Sequence, residues 1–180
     1  ISNVVSASTG NPITNTNGLI AHWKFEDSNT IAIDSAGGNT NGNYIGNAVS
    51  VSGNCILGKC LSLDGNGDYV SLPSSSSDLN LLNGWTISLW IYPKAASSTS
   101  QSFFSVRSSY TNSGLRFFVG GNALLLQGFA GGSWRGSSFA SSEIFDNIWY
   151  NIVIVYNNGI IKTYLNGEFK GSQNWGGNFV

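Results

Sequence analysis

The stretch Trp149–Gly167, WYNIVIVYNNGIIKTYLNG, decides the fold class of this chain. Two runs rich in β-branched and aromatic residues, Trp149–Tyr156 and Ile160–Leu165, flank the turn signal Asn157-Asn158-Gly159. Such residues favour strands, and Asn–Gly pairs favour tight turns between antiparallel strands. The stretch therefore predicts a β-hairpin, and Asn166-Gly167 predicts a second turn into a strand at Glu168–Ser172.

The same pattern extends outward through the chain. Ile56–Leu72 (ILGKCLSLDGNGDYVSL) predicts two strands joined by a hairpin at Asn66-Gly67, and Gly120-Gly121-Asn122 predicts another hairpin. Further strands are predicted at Leu19–Phe25, Ala48–Val51, Trp85–Tyr92, Ser102–Arg107, Leu115–Val119 and Ala123–Phe129. No segment of about ten or more residues has helical periodicity. Short strands with frequent turn signals predict an all-β, two-sheet antiparallel jelly-roll sandwich.

The composition favours an extracellular protein with a neutral surface. Only 9% of the 180 residues are charged and the net charge is −1, so the surface is built from Ser, Asn, Thr and Gly. No basic stripe indicates nucleic acid, and no run of about 18 apolar residues indicates membrane insertion. Cys55 and Cys60 flank Gly58 and are predicted to form a local disulfide; the alternative is two reduced, buried cysteines.

Six phrases in order resemble the concanavalin A-like, laminin-G-like (pentraxin-related) jelly rolls over about residues 18–172. The phrases are Gly18–Phe25, Gly58–Gly65, Asp68–Val70, Trp85–Trp90, Trp149–Val153 and Tyr164–Gly167. The resemblance implies a jelly-roll domain at 18–180 behind an N-terminal extension at 1–17. It also implies a non-catalytic module of secreted or cell-surface proteins that binds glycans or proteins, often with calcium.

One departure from the family concerns the last strand. The family pattern ends with a strand beside the first one, but here the chain stops at Gly176-Gly177-Asn178-Phe179-Val180. The sequence therefore predicts a domain without that strand. Either the chain is truncated, or an extended segment fills the place: Ile1–Ala7 of this or another copy, or a separate strand-donating chain.

The acidic residues offer two candidate calcium sites. Asp64-Gly-Asn-Gly-Asp68 superficially resembles an EF-hand loop, but Tyr69 and Ser75 stand where that loop needs Gly and Glu. It is interpreted as a hairpin turn with Asx caps. Glu26, Asp27 and Asp34 are the predicted calcium ligands, with three solvated carboxylates as the alternative.

Catalytic chemistry is not predicted. His22 is the sole histidine and no Gly-x-Ser-x-Gly nucleophile turn occurs, so His22 is interpreted as a structural hydrogen-bonding residue. Glycoside hydrolysis needs two carboxylates close together. The predicted strands Trp85–Tyr92, Trp149–Tyr156 and Ile160–Leu165 contain none.

Loop aromatics beside polar residues are the candidate ligand-binding groups, because aromatic rings stack on sugar faces and polar neighbours bond the hydroxyls. The candidates are Tyr110 with Asn112, Trp134 with Arg135, and Asn174 with Trp175. The alternative is that these rings cover the ends of the sandwich.

The sequence thus favours a non-catalytic extracellular or cell-surface recognition or adhesion module whose partner is a glycan or a surface protein. The alternative is a structural subunit of an extracellular filament or surface layer, a homo-oligomer assembled by strand exchange. A glycoside hydrolase is the least favoured function.

Overall fold

The protein is described here by a computed structural model covering residues 2–3, 18–27, 30–37, 40–73, 84–106, 114–130 and 132–176. These ranges contain strands, turns and no α-helix, which confirms the all-β prediction. No helix in them has the length and hydropathy needed to cross a bilayer. The chain divides into two compact units, Ile1–Asn80 and Leu81–Val180.

The first unit contains six short strands. They are β1 (Ser2–Asn3), β2 (Ile31–Ala32), β3 (Gly42–Ile45), β4 (Val49–Ser52), β5 (Lys59–Ser62) and β6 (Tyr69–Ser71). Strands β2, β3 and β6 form an antiparallel sheet, and β4 pairs with β5. The predicted disulfide Cys55–Cys60 is confirmed, with the two Cα atoms 5.6 Å apart.

The core of the first unit is small and combines aliphatic with aromatic side chains. Its buried members are Phe25, Ala32, Ala48, Leu61 and Leu63, and Trp23, Tyr44 and Val70 pack against them. Gly42 fits tightly here, because a Cβ at this position would lie 2.5 Å from Cγ1 of Val70. Substitution of Gly42 would therefore require the side chains of Val70 and Leu72 to shift.

Two predictions for this unit are wrong. Leu19–Phe25 is not a strand: it has a single bridge, Trp23 to Asp34, and Phe25 has a φ of 58°, outside the β region. The connection through Asn66-Gly67 is not a hairpin, because β5 pairs with β4 whereas β6 pairs with β3.

Both segments named in the strand-filling hypothesis, Ile1–Ala7 and the C-terminal residues 177–180, lie largely outside the described residues. The strand-exchange assembly and the missing C-terminal strand therefore stay predictions. So do the domain boundaries at residues 17 and 18.

The second unit contains eight longer strands. They are β7 (Trp85–Ile91), β8 (Gln101–Val106), β9 (Leu115–Gly120), β10 (Ala123–Ala130), β11 (Ser133–Phe139), β12 (Tyr150–Asn157), β13 (Ile160–Leu165) and β14 (Glu168–Asn174). Within this unit, β7-β12-β13-β14 form one antiparallel sheet and β8-β9-β10-β11 form another.

The two sheets of the second unit pack face to face. The ring of Trp85 on β7 lies 6.0 Å from that of Phe117 on β9, and alternate residues of β12, among them Ile152 and Ile154, are fully buried. This period of two is the signature of a strand with one face in a core. The prediction of a two-sheet antiparallel sandwich is confirmed.

Three of the predicted turns are confirmed with their register. In each hairpin the two turn residues both have positive φ: Gly121-Asn122 (58°, 59°), Asn158-Gly159 (49°, 81°) and Asn166-Gly167 (52°, 82°). Two positive-φ residues in a two-residue loop define a turn whose twist matches that of paired strands. Asn and Gly tolerate this conformation, which is why the sequence signal was reliable.

The connection from β11 to β12, residues 140–149, is held in an unusual backbone conformation. Ala140, Ser142 and Asn147 have φ of 49°, 63° and 61°. Its centre is fixed by Asn122, whose Nδ2 donates to the carbonyl of Ile144 at 2.6 Å and whose carbonyl accepts from the Ile144 N–H at 3.1 Å.

Candidate functional site

Strand alternation gives the β8–β11 sheet an inner face in the core and an outer face. The inner face carries Leu115, Phe117, Val119, Leu124 and Leu126, all 2% exposed or less. The outer face carries Ser102, Ser105, Arg116, Phe118, Leu125, Gln127, Phe129, Trp134, Gly136 and Ser138. The outer face therefore combines aromatic rings with groups that donate hydrogen bonds.

The register aligns these side chains in rows across the strands. Arg116 lies opposite Gln127, which lies opposite Gly136. The neighbouring row is Phe118, Leu125 and Ser138 in the same strand order. Residues opposite each other on one face are close enough to contact a common ligand.

A shallow depression of about 270 Å³ lies where these two rows meet. Phe118, Leu125, Gln127, Gly136 and Ser138 line it. Gly136 leaves it open, because a Cβ built there meets only the carbonyl oxygen of Leu126, at 3.9 Å. The depression thus has apolar walls and a polar rim.

Arg116, opposite Gln127 on the same face, is held in a defined orientation. Its Nε donates to Oγ of Ser102 at 2.5 Å, and its guanidinium carbon lies 4.2 Å from the centroid of the Phe118 ring. The second contact is a cation–π interaction, which orients the guanidinium plane. Phe118 is 6% exposed beneath it.

An aromatic pair lies further along the outer face. The rings of Phe129 and Trp134 are 5.8 Å apart at 74°, an edge-to-face contact. Trp134 is 43% exposed. The exposed ring was predicted from its glycine-rich context, but it belongs to strand β11 rather than to a loop.

The other predicted ligand-binding residues are not brought together with Trp134. Arg135 is exposed and follows Trp134 in the strand, so it points to the opposite side of the sheet. Asn174 is exposed at the end of β14, where its Oδ1 accepts from the N–H of Gly176 at 3.0 Å. Tyr110 and Asn112 lie outside the described residues. Ligand binding by these residues stays a prediction.

The expectation that Trp175 is exposed is wrong. Trp175 is 3% exposed, and its Nε1 donates to Oγ of Ser137 at 3.0 Å. This ring covers core between β14 and β11, in agreement with the alternative that the sequence left open. It offers no face for a ligand.

Sequence reasoning missed Arg116 and Gln127, although a usable signal was present. The hairpin turn Gly121-Asn122 places Gly120 opposite Ala123. Counting outward from this pair puts Arg116 opposite Gln127. The prediction searched loops for binding groups and did not extend the hairpin register along its strands.

The three predicted calcium ligands do not form a cation cage. Asp34 Oδ1 accepts from the N–H groups of His22 and Ala36, both at 2.9 Å, and Oδ2 accepts from the hydroxyl of Thr40. Asp27 Oδ2 accepts from the N–H of Ile33 at 2.8 Å. Within the described ranges no group of three His, Cys, Asp or Glu side chains is placed to hold a metal ion. Calcium binding stays a prediction without a site.

The interpretation of Asp64–Asp68 as a hairpin turn with Asx caps is confirmed for the caps alone, because the strands on either side do not pair with each other. Asp64 Oδ1 accepts from the N–H of Asn66 at 2.7 Å, and Asp68 Oδ2 accepts from the N–H of Asp64 at 2.8 Å. Both carboxylates are therefore used in shaping this connection.

His22 makes structural hydrogen bonds, as predicted. Its Nδ1 lies 3.1 Å from Oγ of Ser35, and that hydroxyl also donates to the carbonyl of His22 at 2.9 Å. Burial and the charge of Lys24 lower the pKa of His22 against the opposing effect of Asp34. In the described part of the chain, Nε2 is buried without a hydrogen-bond partner, whereas a triad would place a carboxylate at the second ring nitrogen.

Carboxylates are nearly absent from the strands of the second unit. Across β7–β14 the one acidic residue is Glu168, which pairs with Lys170 at 2.9 Å. A pair of carboxylates on one strand face, as glycoside hydrolysis needs, does not occur on these strands.

A sandwich of this architecture defines the class of concanavalin A-like domains, and sequence comparison agrees. The Laminin_G_3 model, described as concanavalin A-like lectin/glucanases superfamily, matches residues 64–179. The chain belongs to this superfamily, which confirms the resemblance. The search of curated proteins found no match.

Solved structures with the same fold include three toxin binding domains. The botulinum neurotoxin serotype D binding domain has a TM-score of 0.63 at 20% identity, over 83% of this chain and 40% of that one. The receptor binding domain of the mosaic serotype C/D gives 0.61 at 20%, over 83% and 39%. The serotype DC binding domain, solved with rat synaptotagmin II, gives 0.55 at 18%, over 86% and 42%. At these identities the similarity shows the fold, and this chain spans less than half of each neighbour.

Proposed function

We propose that this chain is a non-catalytic carbohydrate-binding module whose ligand lies on the outer face of the β8–β11 sheet. The observation that carries the proposal is the exposed Trp134 ring on the same face as a depression lined in part by the polar residues Gln127 and Ser138. Sugars have an apolar ring face and a polar edge, and this surface offers complementary groups for both.

The proposed site is held by rigid elements. Its side chains belong to paired strands, and Trp134 and Arg116 are each fixed by an aromatic neighbour. Little conformational entropy is then lost when a ligand binds. A preformed flat surface suits an oligosaccharide better than a small enclosed ligand.

A binding role is favoured over hydrolysis although the superfamily name includes glucanases. The proposed face carries hydroxyl, amide and guanidinium groups but no acid that could protonate a glycosidic oxygen. Binding without turnover is what such a surface can perform.

The proposed setting is extracellular or at a cell surface. The Cys55–Cys60 disulfide supports this, because disulfides persist in oxidising compartments. A surface glycoprotein would satisfy both partner classes expected from the sequence, a glycan and a protein.

A glycan array tests the proposal with the chain and its Trp134→Ala variant. The chain should bind a defined set of glycans, and loss of the ring should weaken binding at least about fivefold, because stacking contributes about 1 kcal/mol or more. Circular dichroism should show the unfolding free energy changed by at most about 1 kcal/mol, as for a partly exposed residue.

Phe169→Ala is the matched control. Phe169 is an exposed aromatic residue on β14, in the other sheet, and it is 53% exposed. Its removal should leave glycan binding unchanged. An array without a single bound glycan at high protein concentration, or equal loss from both variants, would contradict the proposal.

A further inference from the structure

Six asparagines of the sequence are followed directly by glycine, and four of these pairs lie in the described ranges. The four are Asn41-Gly42, Asn66-Gly67, Asn158-Gly159 and Asn166-Gly167. An asparagine before glycine is prone to spontaneous loss of its side-chain amide, because glycine has no side chain to shield its backbone nitrogen from the asparagine Cγ. In a folded protein the rate also depends on whether these two atoms are free to approach each other.

Two of the four pairs are held by their side-chain amides. Asn41 Oδ1 accepts from the N–H of Asp34 at 2.8 Å, and Gly42 is buried in β3. Asn166 Oδ1 accepts from the N–H of Asn151 at 2.9 Å. In both pairs the asparagine side chain must therefore leave a hydrogen bond before its Cγ can be attacked.

The Asn158-Gly159 pair is held by its turn. It forms the two-residue loop between β12 and β13, with φ of 49° and 81°. Gly159 is buried, and its carbonyl accepts from the N–H of Trp175 at 2.8 Å. A reaction at this pair would therefore require the hairpin to open.

The Asn66-Gly67 pair lacks these constraints. Both residues are exposed and belong to the connection between β5 and β6, and open space surrounds the position that a Cβ of Gly67 would take. The Asn66 N–H donates to Oδ1 of Asp64. Neither the side-chain amide of Asn66 nor the N–H of Gly67 is hydrogen-bonded to another residue that the structure describes.

From this contrast we infer that Asn66 is the site at which the folded protein deamidates spontaneously. The nitrogen of Gly67 attacks Cγ of Asn66, so that an N–Cγ bond forms, the Cγ–Nδ2 bond breaks and ammonia leaves with the proton of the attacking N–H. Water then opens the resulting succinimide at either carbonyl and gives aspartate or isoaspartate, without oxidation or reduction. The inference is independent of the proposed function.

The modification alters a connection that two carboxylates hold together. Asp68 Oδ1 accepts from the N–H of Asn47 at 2.6 Å, and Asp68 Oδ2 accepts from the N–H of Asp64 at 2.8 Å. Either product adds a third negative charge between Asp64 and Asp68, which repels both. Isoaspartate also lengthens the main chain by one carbon at position 66. The hydrogen bonds of Asp68 should therefore weaken as the protein ages.

Peptide mapping by mass spectrometry tests the inference. The folded chain is kept at mildly alkaline pH and digested at intervals, and the aspartate and isoaspartate forms of each Asn–Gly peptide are quantified. Asn66 should convert at least about tenfold faster than Asn41, Asn158 and Asn166, because at those three sites a hydrogen bond or a hairpin has to open first. Isoaspartate should be among the products, since direct hydrolysis of the amide would give aspartate alone.

Two controls separate the effect of the fold from that of the local sequence. In guanidinium chloride the four rates should become similar, because unfolding removes the constraints at the three slow sites. The Asn66→Gln variant should lack the early acidic species that ion-exchange chromatography resolves from the folded chain, and conversion at the other three sites should be unchanged.

Three outcomes would overturn the inference. The first is conversion of Asn41, Asn158 or Asn166 in the folded chain as fast as that of Asn66. The second is the same spread of rates in denaturant as in the folded chain, which would assign the selectivity to local sequence. The third is a product at position 66 that contains aspartate alone, which would exclude attack by the nitrogen of Gly67.

Discussion

Asp34 shows how a single carboxylate organises the first unit. It is 5% exposed and accepts hydrogen bonds from His22, Ala36 and Thr40. Burial alone would raise the pKa of this carboxyl, but the three donors together hold the pKa below its usual value. Asp34 therefore ties the 18–27 segment to the turn that follows β2.

Removing the Asp34 carboxylate should destabilise the folded protein. Asp34→Ala leaves three donors without their acceptor, and we expect a loss of about 2–4 kcal/mol in the free energy of unfolding at neutral pH. Because the folded-state pKa of Asp34 is lowered, its contribution is complete above the unfolded pKa and is lost as the pH falls through the folded value.

Urea unfolding at neutral pH and at about pH 3 measures the loss of stability and its pH dependence. The difference in the free energy of unfolding between wild type and variant should be smaller at acid pH. Asp27→Ala is the control. Asp27 accepts one exposed hydrogen bond, from Ile33, so the change should stay within about 1 kcal/mol. A gap for Asp34 that does not depend on pH would contradict this account.

The residue scale also limits what the sequence could predict. Asp34 looked like a candidate metal ligand because carboxylates near one another in sequence suit both metals and turns. Trp134 and Trp175 each stand beside glycines, yet one is exposed and the other is buried against Ser137. Tertiary packing alone decides whether such a tryptophan is exposed or buried.

Among the elements, the connection at residues 140–149 combines strain with firm anchoring. A non-glycine residue with positive φ pays a steric penalty between its Cβ and the backbone. The connection keeps this conformation because Ile144 is fully buried and is bonded to Asn122 at both its N–H and its carbonyl. Its shape is imposed by the neighbouring hairpin.

Relieving this strain should stabilise the protein. Ser142 is exposed and has a φ of 63°, so Ser142→Gly should raise the free energy of unfolding by about 0.5–1 kcal/mol. Ser141→Gly, at the adjacent exposed position, should instead lower it by a similar amount, because the unfolded chain gains entropy and the 3.3 Å contact between Oγ of Ser138 and Oγ of Ser141 is lost. Urea titrations should show a higher free energy of unfolding for Ser142→Gly and a lower one for Ser141→Gly. A lower value in both variants would contradict this explanation.

Among the elements, the sequence predicted the structure correctly where the backbone conformation depends on the residues of the turn itself. The Asn–Gly and Gly–Asn turns fixed three hairpins, because positive φ at two successive positions admits few residues. The Leu19–Phe25 prediction failed since alternation alone does not reveal that Phe25 leaves the β region. Pairing partners of short strands such as β5 and β6 are set by packing.

The chain as a whole carries few charged residues, 9% of the sequence. The chain has eight basic and nine acidic residues, and the ion pairs within the described ranges, 2.5 and 2.9 Å long, both involve Lys170. Surface ion pairs of this kind contribute little to stability. Burial of apolar strands must therefore supply most of the free energy of folding.

This balance predicts that stability is insensitive to salt. Between about 0.05 M and 0.5 M NaCl the free energy of unfolding should change by less than about 0.5 kcal/mol, because only 9% of the residues are charged and surface ion pairs contribute little. A stability that falls steeply with salt would show that ion pairs matter more than the fold indicates.

The exposed position of Trp134 gives the protein a built-in optical reporter. Of its six tryptophans, Trp134 is the most exposed, at 43%, whereas Trp175 is 3% exposed. Acrylamide should therefore quench mainly the red edge of the emission, and a bound ligand on that surface should shield it, so that occupancy can be followed without any label.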